Sequence, residues 1–104
     1  MNETDLTKLP PKHFGPPKPG QCDETRAFQG IPSIERTLLG RLWAAWYGGG
    51  FGEDRHNYIL LATSKDDGAS WSKPLLTLDP DGDGPVRAFD PCLWLDPRGA
   101  LWLF

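Results

Sequence analysis

The fold is decided by the stretch Ser64-Lys65-Asp66-Asp67-Gly68-Ala69-Ser70-Trp71, a tight acidic turn that separates two apolar runs and ends on a tryptophan. The side-chain oxygens of Asp66 and Ser70 can accept hydrogen bonds from the turn's own backbone N–H groups. Gly68 can adopt a positive φ without steric cost, and the ring of Trp71 can fold back over the hairpin. The stretch therefore predicts a turn that pins two antiparallel strands together.

The sequence on both sides of this turn is typical of short β-strands. Apolar runs with β-branched and aromatic residues alternate with clusters of Gly, Pro and Asp that would interrupt helices. The run at 41–47 is apolar at almost every position, as expected for a strand that is covered on both faces. We predict an all-β fold in which four consecutive antiparallel strands lie within about 28–38, 41–47, 57–64 and 74–78.

The strand pair at 31–47 is similar to a second pair at 91–104. Each has a strand, a turn that ends on glycine and a Leu-Trp strand, with Gly40-Arg41-Leu42-Trp43 in the first pair and Gly99-Ala100-Leu101-Trp102 in the second. Their offset of 59 positions is slightly longer than the roughly 40–50 residues of a propeller blade. We expect a second structural unit to begin after the first.

The acidic turn carries a resemblance to a known family. Ser64, Asp66, Gly68 and Trp71 match the fixed positions of the Asp-box, or BNR repeat, of the sialidase (neuraminidase) superfamily. The resemblance implies a six-bladed β-propeller. In that family the Asp-box is structural and usually far from the active site, so it identifies the fold without performing the reaction.

The same resemblance implies a domain organisation. Residues 28–104 would be an incomplete sialidase-like propeller, with blade 1 at about 28–78 and the start of blade 2 at about 86–104. Because a propeller closes with about four to eight blades, the remaining blades would be missing from this chain, which we expect to be an N-terminal fragment. Residues 1–27 hold five of the 11 prolines and almost no apolar run, so we expect an extended, weakly ordered segment there.

Composition limits the classes of partner. A formal net charge of −3 over 104 residues and a pI near 5.2 give no basic field for nucleic acid or an anionic membrane. No apolar run approaches the roughly 20 residues of a membrane span, and the first residues lack the features of a signal peptide. Composition therefore favours a small or neutral ligand, and the resemblance implies a glycan or small carbohydrate as partner and no cofactor. Cys22 and Cys92 are expected to be unpaired thiols.

Candidate catalytic residues lie in the loop at 48–57, where the family carries its acid/base aspartate. Glu53 is the preferred candidate and Asp54 the alternative. Paired carboxylates suit glycosidic cleavage, because one must be protonated to donate to the leaving oxygen, and burial or a neighbouring like charge raises its pKa towards that task. The other interpretation is a solvated loop tip, with His56 as a loop or ligand-contact residue and Asn57 as a partner of the turn backbone.

Three residues are candidates for substrate binding. The stretch Phe28-Gln29-Gly30-Ile31-Pro32 is similar to the family's Phe/Tyr-Arg-Ile-Pro motif, whose arginine binds the sialic acid carboxylate. Gly30 stands at the arginine position, and Arg26 is the nearby substitute. The stretch Phe89-Asp90-Pro91 is similar to the family's second-blade Asp-Pro motif, which implies that Arg87 and Asp90 face substrate. The structural alternatives are a solvated Arg26 and a simple strand entry at Asp90-Pro91.

The sequence also contains partial patterns for a calcium-binding loop and for a sugar-stacking platform, and we assign neither. The loop Asp79-x-Asp81-x-Asp83-Gly84, with an acid at Asp90, matches most of an EF-hand calcium loop. Its flanks are predicted strands and its prolines stiffen it, so an acidic connection is the preferred interpretation and no metal is assigned. The five tryptophans could form a sugar-stacking platform, but packing between blades accounts for most of them.

These features give one favoured function and one alternative. The resemblance implies a sialidase-like exo-glycoside hydrolase that acts on terminal sugars of glycans, with sialic acid the usual substrate of the family and the nucleophile outside these residues. The chain alone is expected to be inactive. The alternative is a non-catalytic BNR-repeat propeller that binds carbohydrate or protein.

Overall fold

The computed structural model describes residues 9–104, and this part of the chain is all-β apart from two short 3-10 turns. The all-β class predicted from the strand pattern is therefore confirmed. The turns are Pro19–Gln21 and Asp23–Thr25. The strands are β1 (His13–Gly15), β2 (Gln29–Arg36), β3 (Leu42–Gly48), β4 (Tyr58–Ser64), β5 (Leu76–Asp79), β6 (Leu93–Leu95) and β7 (Leu101–Leu103).

The main sheet is an antiparallel meander with one added edge strand, in the order β1-β5-β4-β3-β2. Its centre is the pair β3–β4, in which every residue from Leu42 opposite Ser64 to Gly48 opposite Tyr58 is matched. The side chains of Ala45, Tyr47, Leu60 and Ala62 are buried there. The four strands predicted between 28 and 78 are present in the predicted order, and β5 begins two residues later than predicted.

The strands β6 and β7 form a separate two-stranded sheet that repeats the geometry of β2–β3. In the first turn the N–H of Gly40 donates to Thr37 O at 2.8 Å, and in the second the N–H of Gly99 donates to Asp96 O at 3.0 Å. Both glycines have positive φ, +97° and +87°. The sequence repeat is therefore a structural repeat.

The matching tryptophans extend this correspondence to side chains. The indole N–H of Trp43 donates to Thr37 Oγ1 at 3.2 Å, and that of Trp102 donates to Asp96 Oδ2 at 2.8 Å. In each turn the tryptophan bonds the residue six positions earlier, so each closes its hairpin in the same way.

The small sheet packs along β2. The backbone N–H of Leu93 donates to Ser33 Oγ at 3.0 Å, and that of Leu95 donates to Glu35 Oε2 at 3.2 Å. These two N–H groups lie on the edge of β6 that β7 does not pair, so β2 side chains satisfy part of an otherwise open edge. Leu93 is buried against the main sheet.

The described part of the N-terminal segment is attached to the sheet, which differs from the expected weakly ordered lead-in. Phe14 pairs with Leu78, which makes β1 the outer edge strand. Gln21 is buried and accepts hydrogen bonds from Lys18 N at 2.9 Å and from Thr77 Oγ1 at 2.6 Å. The buried amide of Gln21 thus gives the fully buried Thr77 hydroxyl its hydrogen-bond partner. Residues 1–8 of the segment lie outside the described residues.

The predicted acidic turn closes the β4–β5 connection through hydrogen bonds within itself. Ser64 Oγ donates to Asp66 Oδ1 at 2.8 Å and accepts from Gly68 N at 2.9 Å. Asp66 accepts from both the N–H and the hydroxyl of Ser70, and Gly68 has a φ of +89°. Trp71 is 42% exposed, so it covers the hairpin only in part.

The carboxyl group of Asp66 makes this turn sensitive to acid. The Ser70 hydroxyl, the Ser70 N–H and the Ser64 hydroxyl all donate to it and lower its pKa from 3.8 to about 2. Because the folded-state pKa is the lower one, the ionised carboxylate stabilises the fold above about pH 4, and this contribution disappears as the pH falls to about 2.

We predict that wild-type protein loses more unfolding free energy between about pH 6 and about pH 2.5 than the Asp66→Asn variant does. Denaturant unfolding at the two pH values measures the difference. The Ser70→Ala variant, which keeps the backbone donor but loses the hydroxyl, should give an intermediate pH dependence. Parallel losses in wild type and Asp66→Asn would contradict the assignment.

Candidate functional site

The two ends of the main sheet carry different kinds of loop. The acidic turn at 64–71 lies where β4 ends, whereas the loops at 49–57 and 80–92 lie at the opposite end, after β3 and β5. The first of these loops begins with Gly49 and Gly50, whose φ values of +101° and +73° allow a sharp turn. The candidate residues Glu53, Asp54, Arg87 and Asp90 all belong to this second end.

The fully buried side chain of Asn57 joins the two loops. Its amide nitrogen donates to Gly49 O at 2.7 Å and to Gly52 O at 3.0 Å. Its amide oxygen accepts from Asp54 N at 3.0 Å and from Arg87 Nη1 at 2.8 Å. The predicted role of Asn57 as a partner of turn backbone is therefore found, and it extends to a residue 30 positions away.

Glu53 is held by a tyrosine that the sequence reasoning missed. The hydroxyl of Tyr47, at the end of β3, donates to Glu53 Oε1 at 2.5 Å. This hydrogen bond, together with burial and the charges of Glu53 and Asp90, raises the pKa of Tyr47 to about 12. The phenol therefore remains a hydrogen-bond donor throughout the neutral range. The sequence feature that could have identified Tyr47 is an aromatic residue with a polar hydroxyl group at the end of an apolar strand.

Arg87 and Asp90 are the other two candidate residues whose charges reach Tyr47. The charges of both residues act on the Tyr47 hydroxyl. Arg87 stacks over the ring of Phe89, with its guanidinium carbon 4.3 Å from the ring centroid. Asp90 is exposed and has a φ of +47°, a conformation that costs a non-glycine residue energy. The charges of Glu53, Arg87 and Asp90 thus all act on the Tyr47 hydroxyl.

Position 30, where the family's motif has arginine, has no room for a side chain. Gly30 lies directly opposite Tyr47 in the β2–β3 register. A Cβ atom built at Gly30 would be 2.5 Å from Cζ of Tyr47, well inside van der Waals contact. The ring of Tyr47 therefore occupies the space that a side chain at position 30 would need.

Arg26 is placed in the interior of the fold. Its side chain is 2% exposed, donates to Gln21 O at 3.0 Å and forms an ion pair with Asp23. It also lies beside the buried hydroxyl of Tyr58, whose pKa is raised mainly by burial. In this position Arg26 makes its bonds within the N-terminal segment, to Gln21 and Asp23, and not with Glu53.

The carboxylate of Asp54 is hydrogen-bonded to the backbone of its own loop. Its carboxylate accepts from His56 N at 2.8 Å and from Phe51 N at 3.4 Å. The His56 N–H is the main reason that the pKa of Asp54 is lowered, with Phe51 N–H and the His56 charge adding to it. A lowered pKa disfavours the protonated form that a general acid needs, which leaves Glu53 as the stronger candidate.

The acidic loop after β5 uses its carboxylates on its own backbone. Asp79 Oδ1 accepts from Gly82 N at 2.8 Å, and Asp81 Oδ2 accepts from Val86 N at 3.1 Å. Within residues 9–104, no group of three or more His, Cys, Asp or Glu side chains is arranged to hold a metal ion. A cleft of about 480 Å³ opens between this loop and Asp54, but Glu53, Arg87 and Asp90 do not line it.

The remaining expectations concern the surface. Cys22 and Cys92 are both free thiols. Trp94 and Trp102 face each other across β6–β7 and are about half exposed. In the part of the chain that the structure describes, no helix is long and apolar enough to cross a membrane.

Comparison with known proteins does not extend these findings. No protein-family model, curated protein or solved structure matches this chain. The described residues form an all-β fold with an antiparallel meander and a repeated hairpin.

We predict that Asn57→Ala destabilises the fold strongly, because each buried partner left without a hydrogen bond costs about 1–3 kcal/mol. Denaturant unfolding measures the loss. Gln29→Ala is the matched control, since it removes an exposed amide that accepts one bond from Trp46 and should cost about 1 kcal/mol or less. Equal losses in the two variants would show that Asn57 does not hold the loops.

Proposed function

We propose that this chain forms one sheet and the start of the next in a sialidase-like β-propeller, and that the loop end of the sheet acts on the terminal sugar of a glycan. The reaction in this proposal is exo-acting hydrolysis of a glycosidic bond. The observation that carries it is the exposed carboxylate of Glu53, which is held by the Tyr47 hydroxyl, a group on which the charges of Arg87 and Asp90 also act.

The repeated hairpin supports the architecture in this proposal. Propellers are built from four-stranded antiparallel sheets that recur along the chain. Here the β2–β3 turn recurs at β6–β7 with the same glycine conformation and the same indole hydrogen bond. The Asp-box turn also has internal bonds between Ser64, Asp66, Gly68 and Ser70. The other sheets of the ring would be contributed from outside these residues.

The arrangement of charges supports the chemistry in this proposal. Glu53 would donate a proton to the leaving oxygen and then accept one from water. Arg87 has a guanidinium with one nitrogen bonded to Asn57, and its remaining N–H groups can donate to sugar oxygens. Asp90 would accept from a sugar hydroxyl.

The competing function is a propeller of the same architecture that binds carbohydrate or protein without cleaving it. Gly30 favours it, because the position carries no guanidinium and the Tyr47 ring fills the space. The two functions share the fold and the binding surface, and they differ in whether Glu53 transfers a proton.

The experiment is a hydrolysis assay of the full-length protein on a panel of chromogenic glycosides. We predict turnover of at least one glycoside and a loss of about 100-fold or more in kcat for Glu53→Gln, because removing a general acid–base typically costs about 10²–10⁴-fold. Glu24→Gln, an exposed carboxylate on a 3-10 turn, is the control and should retain activity.

Two results would change the conclusion. Full activity in Glu53→Gln would remove the acid/base assignment. Binding of a glycan with no turnover of any glycoside would favour the non-catalytic function.

A further inference from the structure

The loop end of the main sheet carries an excess of negative charge. In the segments 49–57 and 79–90, carboxylates outnumber guanidinium groups, which are those of Arg55 and Arg87. Arg87 is already bonded to Asn57 and stacked on Phe89. A ligand carboxylate placed beside Glu53 would therefore meet like charges, and the cations available to neutralise it are fewer than those charges.

The space in which a further guanidinium could stand is filled. A side chain at position 30 would collide with the Tyr47 ring, since even a Cβ atom would lie 2.5 Å from Cζ. Arg26 is buried and paired with Asp23, so it cannot serve in its place. The space beside Gly30 is therefore occupied by the phenol of Tyr47, which donates to Glu53, and not by a cationic side chain that could bind an anion.

On the basis of the sugar site proposed above, we propose that the loop end of the main sheet recognises an uncharged sugar and discriminates against sugars that carry a carboxylate. Tyr47 is the positioning residue that sets this preference through Glu53. The exposed carboxylates of Glu53 and Asp90 accept hydrogen bonds from hydroxyl groups, and Arg87 donates to a sugar oxygen. Such a mixture of acceptors and one donor suits a neutral pyranose.

Tyr47 acts through Glu53 because its own side chain is buried. The residue is 1% exposed, so its hydroxyl reaches the ligand only by way of the Glu53 carboxylate that it holds at 2.5 Å. Its raised pKa, about 12, keeps the hydroxyl in the donor form. Fixing one carboxylate oxygen leaves the other free for a sugar hydroxyl.

The test is a set of matched ligands that differ in one group. Dissociation constants of the full-length protein are measured by calorimetry for methyl glucoside against methyl glucuronide, methyl galactoside against methyl galacturonide, and methyl sialoside. We expect the neutral member of the pair that binds to bind about tenfold or more tightly than its uronide at low salt. Added salt should narrow this ratio, because exposed charges are screened.

Variants separate positioning from folding. Tyr47→Phe keeps the ring against Gly30 but removes the bond to Glu53, so we expect weaker binding of the neutral sugar by about fivefold or more. Glu53→Gln should bring the neutral-to-acidic ratio closer to one, because it removes a repelling charge. Tyr58→Phe, which removes another buried tyrosine hydroxyl, is the control and should leave the ratio unchanged.

The outcomes are distinct. Tighter binding of a uronide or of the sialoside would overturn the neutral-sugar preference and leave the proposed sugar site standing. An unchanged neutral-to-acidic ratio in Glu53→Gln, with neutral binding intact in Tyr47→Phe, would overturn the role of this pair. Binding of no ligand in the set would overturn the proposed function and this inference with it.

Discussion

The buried amide of Asn57 is the interaction on which the loop end of the sheet depends. It donates to the carbonyls of Gly49 and Gly52 and accepts from Asp54 and Arg87, so both of its polar atoms are fully used. Its backbone oxygen also accepts from Ala88 N at 3.2 Å. Aspartate could not donate to the two carbonyls, because a carboxylate has no N–H group. One residue thereby fixes where the loop carrying Glu53 and the segment carrying Arg87 meet.

The opposition of Gly30 and Tyr47 is a second constraint, one strand away. A glycine in a strand normally weakens it, but here its missing side chain lets an aromatic ring lie across the neighbouring strand. That ring is buried, and its hydroxyl ends at Glu53. The position of an exposed carboxylate is therefore decided by the absence of a Cβ atom on β2. Local sequence around Glu53 contains no sign of this dependence.

The strands and the acidic turn could be predicted because their determinants are local. The run at 41–47, the turn at 64–71 and the glycines at 40 and 99 each act through neighbours in sequence. The position of the N-terminal strand could not be predicted, because it follows from pairing with β5 and from the hydrogen bond between Gln21 and Thr77, which are far apart in sequence. Tyr47 was missed for the same reason: its partners Gly30 and Glu53 lie on other segments, and an apolar strand gives no sign that one hydroxyl is in use.

The two ends of the sheet therefore have different sources of order. The acidic turn at 64–71 is held mainly by bonds within eight residues, between Ser64, Asp66, Gly68 and Ser70, together with an ion pair between Arg36 and Asp67. The loop end is held by side chains that connect distant segments, and each of these bonds is lost when either segment moves. A ligand that bridges Glu53 and Arg87 would add to those long-range connections, and its binding energy would appear as stability of the loops. Affinity for such a ligand and order of the loops would therefore be coupled at this end, whereas the acidic turn at 64–71 lies at the opposite end of the sheet.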